Sequence, residues 1–295
     1  MSTLSPESRA PGAISVLIPA YNEQDAIGEV IRQVRTVLEP TGHPAEIIVV
    51  DDGSTDSTAT NASDAGAHVI PHRTNLGYGA ALKTALRHAS HDSILILDAD
   101  GSYPPSAIPI LLQELAICDM VVAARTTGKA NIPAARRPAK WVLTMTAQFL
   151  SHRKIPDLNS GLRAFRRADA LRFMSLYPAG FSFTTTITLA YLSNDLLIHY
   201  IPIEYQPRVG SSKLRPIRDT KNLFLTVIRS ILFFNPLRVC IPAAIFLFVI
   251  AGYLALFVRD AQGRILDGTI TILVTSALQI LIVGFLADIL SRLRQ

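Results

Sequence analysis

Residues 95–100 read Leu-Ile-Leu-Asp-Ala-Asp, an apolar run that ends in two carboxylates one residue apart, Asp98 and Asp100. If the run is a buried strand, alternation aims both carboxylates the same way at the C-terminal edge of a sheet, where open α/β folds place their ligands. Two hard oxygen donors so placed suit Mg2+ or Mn2+, with substrate phosphate oxygens completing the coordination. An isolated Asp-x-Asp is more often a solvated turn. Here two other apolar runs end in the same style, Ile18-Pro19-Ala20-Tyr21-Asn22-Glu23 and Val49-Val50-Asp51-Asp52-Gly53-Ser54-Thr55-Asp56. Three such ends converging on one edge with Tyr, Asp and Glu form a polar site of nucleotide size.

The elements that must position them show as periodicity. Short β-branched or Leu-rich runs at 14–19, 46–50, 68–71, 93–97 and 120–123 alternate with longer amphipathic stretches. That alternation predicts an α/β domain over 13–215, a mostly parallel sheet flanked by helices. Ile27, Val30, Ile31, Val34 and Leu38 follow steps of three and four, which puts all five on one helical face. Residues 1–12 contain no apolar run, so they read as a disordered leader without a secretory h-region.

The 295 residues allow one large or two modest globular units, and 49% hydrophobic against 17% charged residues is too apolar for a disordered chain or an ordinary charged soluble protein. The surplus gathers at 237–258 and 269–290, each long enough at 1.5 Å per residue to cross a hydrocarbon core of about 30 Å. The connector is short enough to require an antiparallel hairpin, so 236–295 reads as a two-span transmembrane unit. Lys213, Arg215, Arg218, Lys221 and Arg229 precede the first span and Arg292 and Arg294 follow the second, against Arg259 and Arg264 between them. The positive-inside rule then makes the protein a multi-pass membrane protein with its larger domain cytoplasmic. Residues 216–235 mix Arg218, Lys221 and Arg229 with Leu223, Phe224, Val227 and Ile231, the pattern of an amphipathic juxtamembrane helix. On that topology Asn61-Ala62-Ser63 never meets the glycosylation machinery. Cys118 and Cys240 sit in apolar surroundings without ligand spacing, which fits a reducing compartment. The net charge of +5 collects beside the spans without interleaved aromatics, favouring lipid headgroups over nucleic acid.

The set IPAYNE at 18–23, DDGSTD at 51–56, NLGYGAAL at 75–82 and DADGSYPP at 98–105 resembles the family 2 inverting glycosyltransferases of the GT-A nucleotide-diphospho-sugar transferase fold, over residues 14 to about 215. Ala124-Arg125, Ala135-Arg136-Arg137, the segment from Asp157 to Arg163 (DLNSGLR) and the segment from Pro207 to Lys213 (PRVGSSK) look like the polyprenyl-phosphate glycosyltransferase group, both dolichyl-phosphate mannose synthases and bacterial undecaprenyl-phosphate enzymes. The resemblance implies that Pro19, Tyr21, Glu23 and Asp52 hold the base and ribose of a UDP- or GDP-sugar. It implies that Asp98 and Asp100 contact donor and metal, and that Arg208 and Lys213 close over the diphosphate.

One departure bears on the acceptor. Many family 2 enzymes that glycosylate a hydroxyl place an acidic base after the Ser-Gly segment, whereas Phe181-Ser182-Phe183-Thr184-Thr185-Thr186 has none. A hydroxyl nucleophile needs such a base near neutral pH; a phosphate monoester is already anionic. The expected acceptor is therefore a polyprenyl phosphate, gripped by Arg125, Arg136, Arg137, Arg163 and the Ser160 segment. Where some relatives carry a serine four residues after the acceptor arginine, this chain has Lys140 or Trp141. Gly77-x-Gly79 lacks the third small residue of a dinucleotide fingerprint, and Trp141 lies outside the Gln-x-x-Arg-Trp motif of processive synthases. The expected reaction is transfer of one sugar to polyprenyl phosphate with inversion. A hydroxyl-directed transferase and a catalytically idle membrane scaffold are the rivals, and a homo-oligomer stays open.

Overall fold

Strand β1 (Ile14–Ala20) is buried at every position, as expected of a strand covered on both faces, whose sequence runs apolar instead of alternating. The computed structural model describes residues 12–127, 145, 148, 155–180, 182–207, 236–258 and 267–292. The chain divides into two compact units, 1–226 and 227–295.

In the first unit β1 pairs in parallel with β2 (Ala45–Asp51) and β4 (Ser93–Ile96), and β2 with β3 (His68–Pro71). Beyond β4 come β6 (Arg163–Arg166), β5 (Met120–Thr127) and β7 (Ile198–Glu204), completing a seven-stranded sheet of order β3-β2-β1-β4-β6-β5-β7. β6 alone runs against its neighbours β4 and β5, while β5 and β7 are parallel. Helices α1 (Ile27–Leu38), α2 (Thr58–Asp64), α3 (Tyr78–His88), α4 (Ile108–Glu114), α5 (Arg167–Arg172) and α6 (Phe183–Ser193) connect the strands.

Two faces of the sheet are filled. Ile14, Val16 and Ile18 of β1 join Ile31 and Val34 of α1 and Leu111 and Leu112 of α4 in one core. Leu17, equally buried, points to the opposite face by alternation, where α3 packs on β1 and β2. The five residues expected on one face of α1 are all buried, each contributing roughly 1.5–3 kcal/mol on full burial.

The expected strands are all present, and their ends agree to within four residues. β6 and β7 were not expected. β6 is four residues, Arg-Ala-Phe-Arg, with no β-branched side chain. β7 stands at the edge of the sheet order and carries Pro202, a residue that sheets accept chiefly on edge strands.

Among the described residues the second unit holds two helices, α7 (Leu237–Phe257) and α8 (Asp267–Arg292), packed on each other. Both are long and apolar enough to cross a bilayer, with mean hydropathy 2.5 and 2.3, and only 11% of each apolar stretch is buried. Core helices of a soluble protein bury such surface; here Phe246, Leu256 and Phe257 stand open. Between the two helices the contact uses small residues. Ala244, Ala251 and Ala277 are buried, and a Cβ added to Gly284 would come within 2.6 Å of Cys240 Cβ. The amphipathic helix expected at 216–235 lies outside the described residues, as do residues 1–11 of the leader.

Candidate active site

The first wall forms where β1 and β2 end. The Asp52 amide donates to the Ala20 carbonyl at 2.8 Å, holding the strands together past the ladder. The two following loops are then joined by side-chain bonds: Asn22 N donates to Ser54 Oγ (2.9 Å), Thr55 N to Asn22 Oδ1 (2.9 Å) and Glu23 N to Thr58 Oγ1 (2.8 Å). Asn22 sits at φ +50, a left-handed conformation that asparagine tolerates. Pro19 is buried in β1, whereas Tyr21 and Glu23 are half-buried in the loop just beyond its end.

Asp52, expected at the base and ribose of the donor, is bonded within the chain. Its carboxylate is 3% exposed. Oδ1 accepts from Leu76 N (2.9 Å) and lies 2.7 Å from His72 Nδ1, and Oδ2 accepts from Gly77 N (2.8 Å). These bonds join Asp52 to the 72–77 loop and fix the position of that loop. Gly77, at φ +104, opens α3, and a Cβ on it would meet Ala179 O at 2.6 Å.

The second wall is the Asp98–Asp100 turn. β4 stops at Ile96, although Leu97 N still donates to Leu17 O at 3.1 Å. The chain then leaves the sheet, with Gly101 at φ +71. Strand alternation therefore does not aim the two carboxylates; local contacts do. Asp98 Oδ1 accepts a hydrogen bond from the Tyr78 phenol at 2.8 Å. Gly161 is pressed against the same carboxylate, so that a Cβ there would overlap Asp98. Burial and the neighbouring Asp98 charge hold the Tyr78 phenol protonated far above its usual range, which keeps it a donor. Asp100 is 6% exposed and accepts from Ser102 N (3.0 Å) and Ser102 Oγ (2.5 Å), the turn-making pattern of aspartate.

A third group borders Gly161. Its amide donates to the Tyr103 hydroxyl at 2.7 Å, and the Tyr103 ring stands edge-on to Tyr205 at 5.2 Å. Arg125 lies over Tyr205, 5.4 Å from the ring centroid, and forks onto Asp157 through Nε (2.7 Å) and Nη2 (2.9 Å). Burial pushes the Asp157 carboxyl up, but the hydrogen bonds and charge of Arg125 outweigh it and hold the group below its ordinary value.

Arg163 and Ser160, both expected at the acceptor phosphate, are bonded inside the domain. Arg163 is fully buried in the sheet. Its guanidinium donates to Ser160 O, Thr184 O (3.1 Å) and Thr188 Oγ1 (3.0 Å). Ser160, also fully buried, donates to Ala123 O at 2.6 Å. Both tie β6, β5 and α6 together, and neither side chain is exposed. Arg136, Arg137, Arg208 and Lys213 lie outside the described residues. Tyr78, Tyr103, Asp157 and Gly161 had no assigned role. They sit inside the recognised segments, but the contacts that join them to Asp98, to Arg125 and to one another cross 20 to 58 positions of sequence and leave no periodic trace.

A mixed α/β sheet with an Asp-x-Asp turn beyond the end of one of its parallel strands is the arrangement of a GT-A glycosyltransferase. Residues 15–172 match the model for Glycosyl transferase family 2, and the chain belongs to that family. Glycosyltransferase AglJ of Haloferax volcanii is 32% identical over 233 residues, covering 77% of this chain and 75% of AglJ. The undecaprenyl-phosphate 4-deoxy-4-formamido-L-arabinose transferase of Salmonella typhimurium is 35% identical over 161 residues, 52% of this chain and 49% of that enzyme. The chain thus matches about half the length of this second relative. Among solved structures, glucosyl-3-phosphoglycerate synthase from Mycobacterium tuberculosis superposes with TM-score 0.59 at 23% identity, covering 78% of this chain and 85% of that one. The same enzyme in complex with Mn2+, UDP-glucose and phosphoglyceric acid gives TM-score 0.58 at 25% identity, covering 77% and 82%.

Proposed function

We propose that the protein transfers one sugar from a nucleoside-diphospho-sugar to a polyprenyl phosphate at the cytoplasmic face of a membrane, with inversion at the anomeric carbon. The observation that carries the acceptor assignment is the start of α6. No acidic residue stands in its first turn, and Thr184, Thr185 and Thr186 are buried there. A hydroxyl acceptor would lack a base at this position, and a phosphate monoester needs none. The named activity of the undecaprenyl-phosphate relative and the two apolar helices support the same reading.

The residues present fit a divalent cation. Among the described residues no three His, Cys, Asp or Glu side chains gather as a ready-made cage, and Asp98 and Asp100 are two hard oxygen donors on one turn. Mg2+ and Mn2+ are held in this way by one or two carboxylates, with substrate phosphates filling the remaining positions. When bound, the cation would neutralise charge on the departing diphosphate.

The chain's own part is positioning. Tyr21 and Glu23 flank the base and ribose region while Asp52 and His72 shape the loop behind it. Asp98, fixed by Tyr78, and Asp100, fixed by Ser102, face the diphosphate. Arg125 offers directed N–H groups to the acceptor phosphate, with Arg136 and Arg137 as further cations and Arg208 and Lys213 on the donor side. An acceptor phosphate oxygen forms the new bond to C1 as the bond from C1 to the diphosphate oxygen breaks, and the nucleoside diphosphate leaves with the electron pair. The test is purified protein with UDP- and GDP-sugar panels, a short polyprenyl phosphate and Mg2+ or Mn2+. Formation of a polyprenyl-phosphate monosaccharide that chelator abolishes is expected. Transfer to no polyprenyl phosphate from any donor, or full activity in excess chelator, contradicts the reading.

A further inference from the structure

The Asp98 side chain is held on two sides by groups from distant parts of the chain. Tyr78, the first residue of α3, donates its phenol proton to Oδ1 at 2.8 Å. The backbone of Gly161 closes the space beside the carboxylate, and its own position is fixed by the 2.7 Å bond from its amide to the Tyr103 hydroxyl. Tyr78 is itself anchored. Gly77 and Gly79 on either side of it lie against the 178–180 backbone, where a Cβ on Gly79 would come within 2.8 Å of Gly180 O, and Ala80 N donates to Ala179 O at 2.9 Å. The phenol oxygen therefore comes from a packed element.

We propose that Tyr78 is a positioning residue for Asp98: its hydroxyl, working against the Gly161 wedge, fixes the carboxylate in the one orientation from which it serves the donor diphosphate and its cation. The inference rests on the donor and metal role proposed for Asp98. A carboxylate on a turn outside the sheet ladder has two rotatable side-chain bonds, and each alternative rotamer lowers the fraction of enzyme ready to bind. The phenol removes that freedom at one oxygen and the glycine backbone blocks the swing of the rest. Tyr78 touches neither substrate nor cation in this scheme and acts through Asp98.

The experiment measures Mn2+-dependent binding of UDP, and of GDP in parallel, to the full-length protein by Mn2+ electron paramagnetic resonance and calorimetry. Wild type, Asp98→Asn, Tyr78→Phe, Gly161→Ala and the Tyr78→Phe/Asp98→Asn double variant are compared, with thermal unfolding of each. Tyr78→Phe keeps the ring and removes one charge-assisted hydrogen bond, so nucleotide affinity in the presence of Mn2+ falls roughly ten- to hundredfold while the unfolding temperature stays near wild type. Gly161→Ala, which displaces Asp98 from the other side, shows the same loss and serves should Tyr78→Phe fold poorly. In the Asp98→Asn background the Tyr78 substitution has little further effect, a non-additivity that a merely structural tyrosine would not produce. No Mn2+-dependent nucleotide binding by the wild type, or unaltered binding by Asp98→Asn, overturns the underlying role of Asp98. Loss in Asp98→Asn with unaltered binding in Tyr78→Phe, or additive losses in the double variant, overturns the inference about Tyr78 alone.

Discussion

Arg125 and Asp157 form a bidentate pair in which the carboxylate is 3% exposed and the guanidinium 23%. The pair is close to neutral as a unit, so in the proposed acceptor role Arg125 would offer a phosphate directed N–H groups more than surplus charge. The pair also makes a pH signature. Burial alone would raise the Asp157 carboxyl, but Arg125 wins and holds it below the ordinary 3.8. The unfolded chain therefore takes up this proton first on acidification. The pair's stabilisation is complete above the unfolded value and is lost as pH falls through the folded one. Asp157→Asn should lower stability at neutral pH, where breaking a largely buried pair costs about 3–5 kcal/mol. It should also flatten the acid limb of the stability curve below 3.8. Denaturant unfolding between neutral and acid pH checks both; a variant with the wild-type acid slope would contradict the assignment.

At the scale of elements, α6 is filled with threonines that serve packing. Thr185 Oγ1 donates to Asn159 Oδ1 at 2.5 Å and Thr188 Oγ1 to Thr184 O at 2.8 Å. Thr185→Ala should cost about 1 kcal/mol, read as a lowered unfolding midpoint, and leave transfer to polyprenyl phosphate at or near the wild-type rate. A large loss of rate without loss of stability would place chemistry on this helix. The elements also show what sequence can and cannot disclose. α1 and the central strands were legible because burial on a regular element leaves a period, 3.6 in Ile27–Leu38 and a continuous apolar run in β1. The Asp98–Asp100 turn was legible by composition, yet the strand-pleat argument for its aim was wrong, since β4 stops at Ile96. Arg163 looked like an anion grip because an arginine after Ser-Gly carries no mark of burial. Only the convergence of Ser160 O, Thr184 O and Thr188 Oγ1 on its guanidinium shows it to be framework.

For the whole molecule, two apolar helices follow the catalytic unit, and the basic residues flank the pair at its outer ends more than at the connector. On that asymmetry the topology we propose puts both ends of the hairpin on the cytoplasmic side, together with the nucleotide-sugar donor. Single cysteines placed at exposed positions 76 and 117 in a variant lacking Cys118 and Cys240 should react with an impermeant maleimide only in inverted vesicles. Labelling from the opposite side would reverse the topology. The central claim is the acceptor, and the most direct measurement sets transfer to a polyprenyl phosphate beside transfer to the same polyprenol without its phosphate, at equal concentration and saturating donor. Without a base on α6, and with charge-assisted contacts to phosphate each contributing about 1.5–3 kcal/mol, the phosphate should be used at least roughly tenfold faster. Equal or faster use of the free alcohol would contradict it and make the protein a hydroxyl-directed transferase.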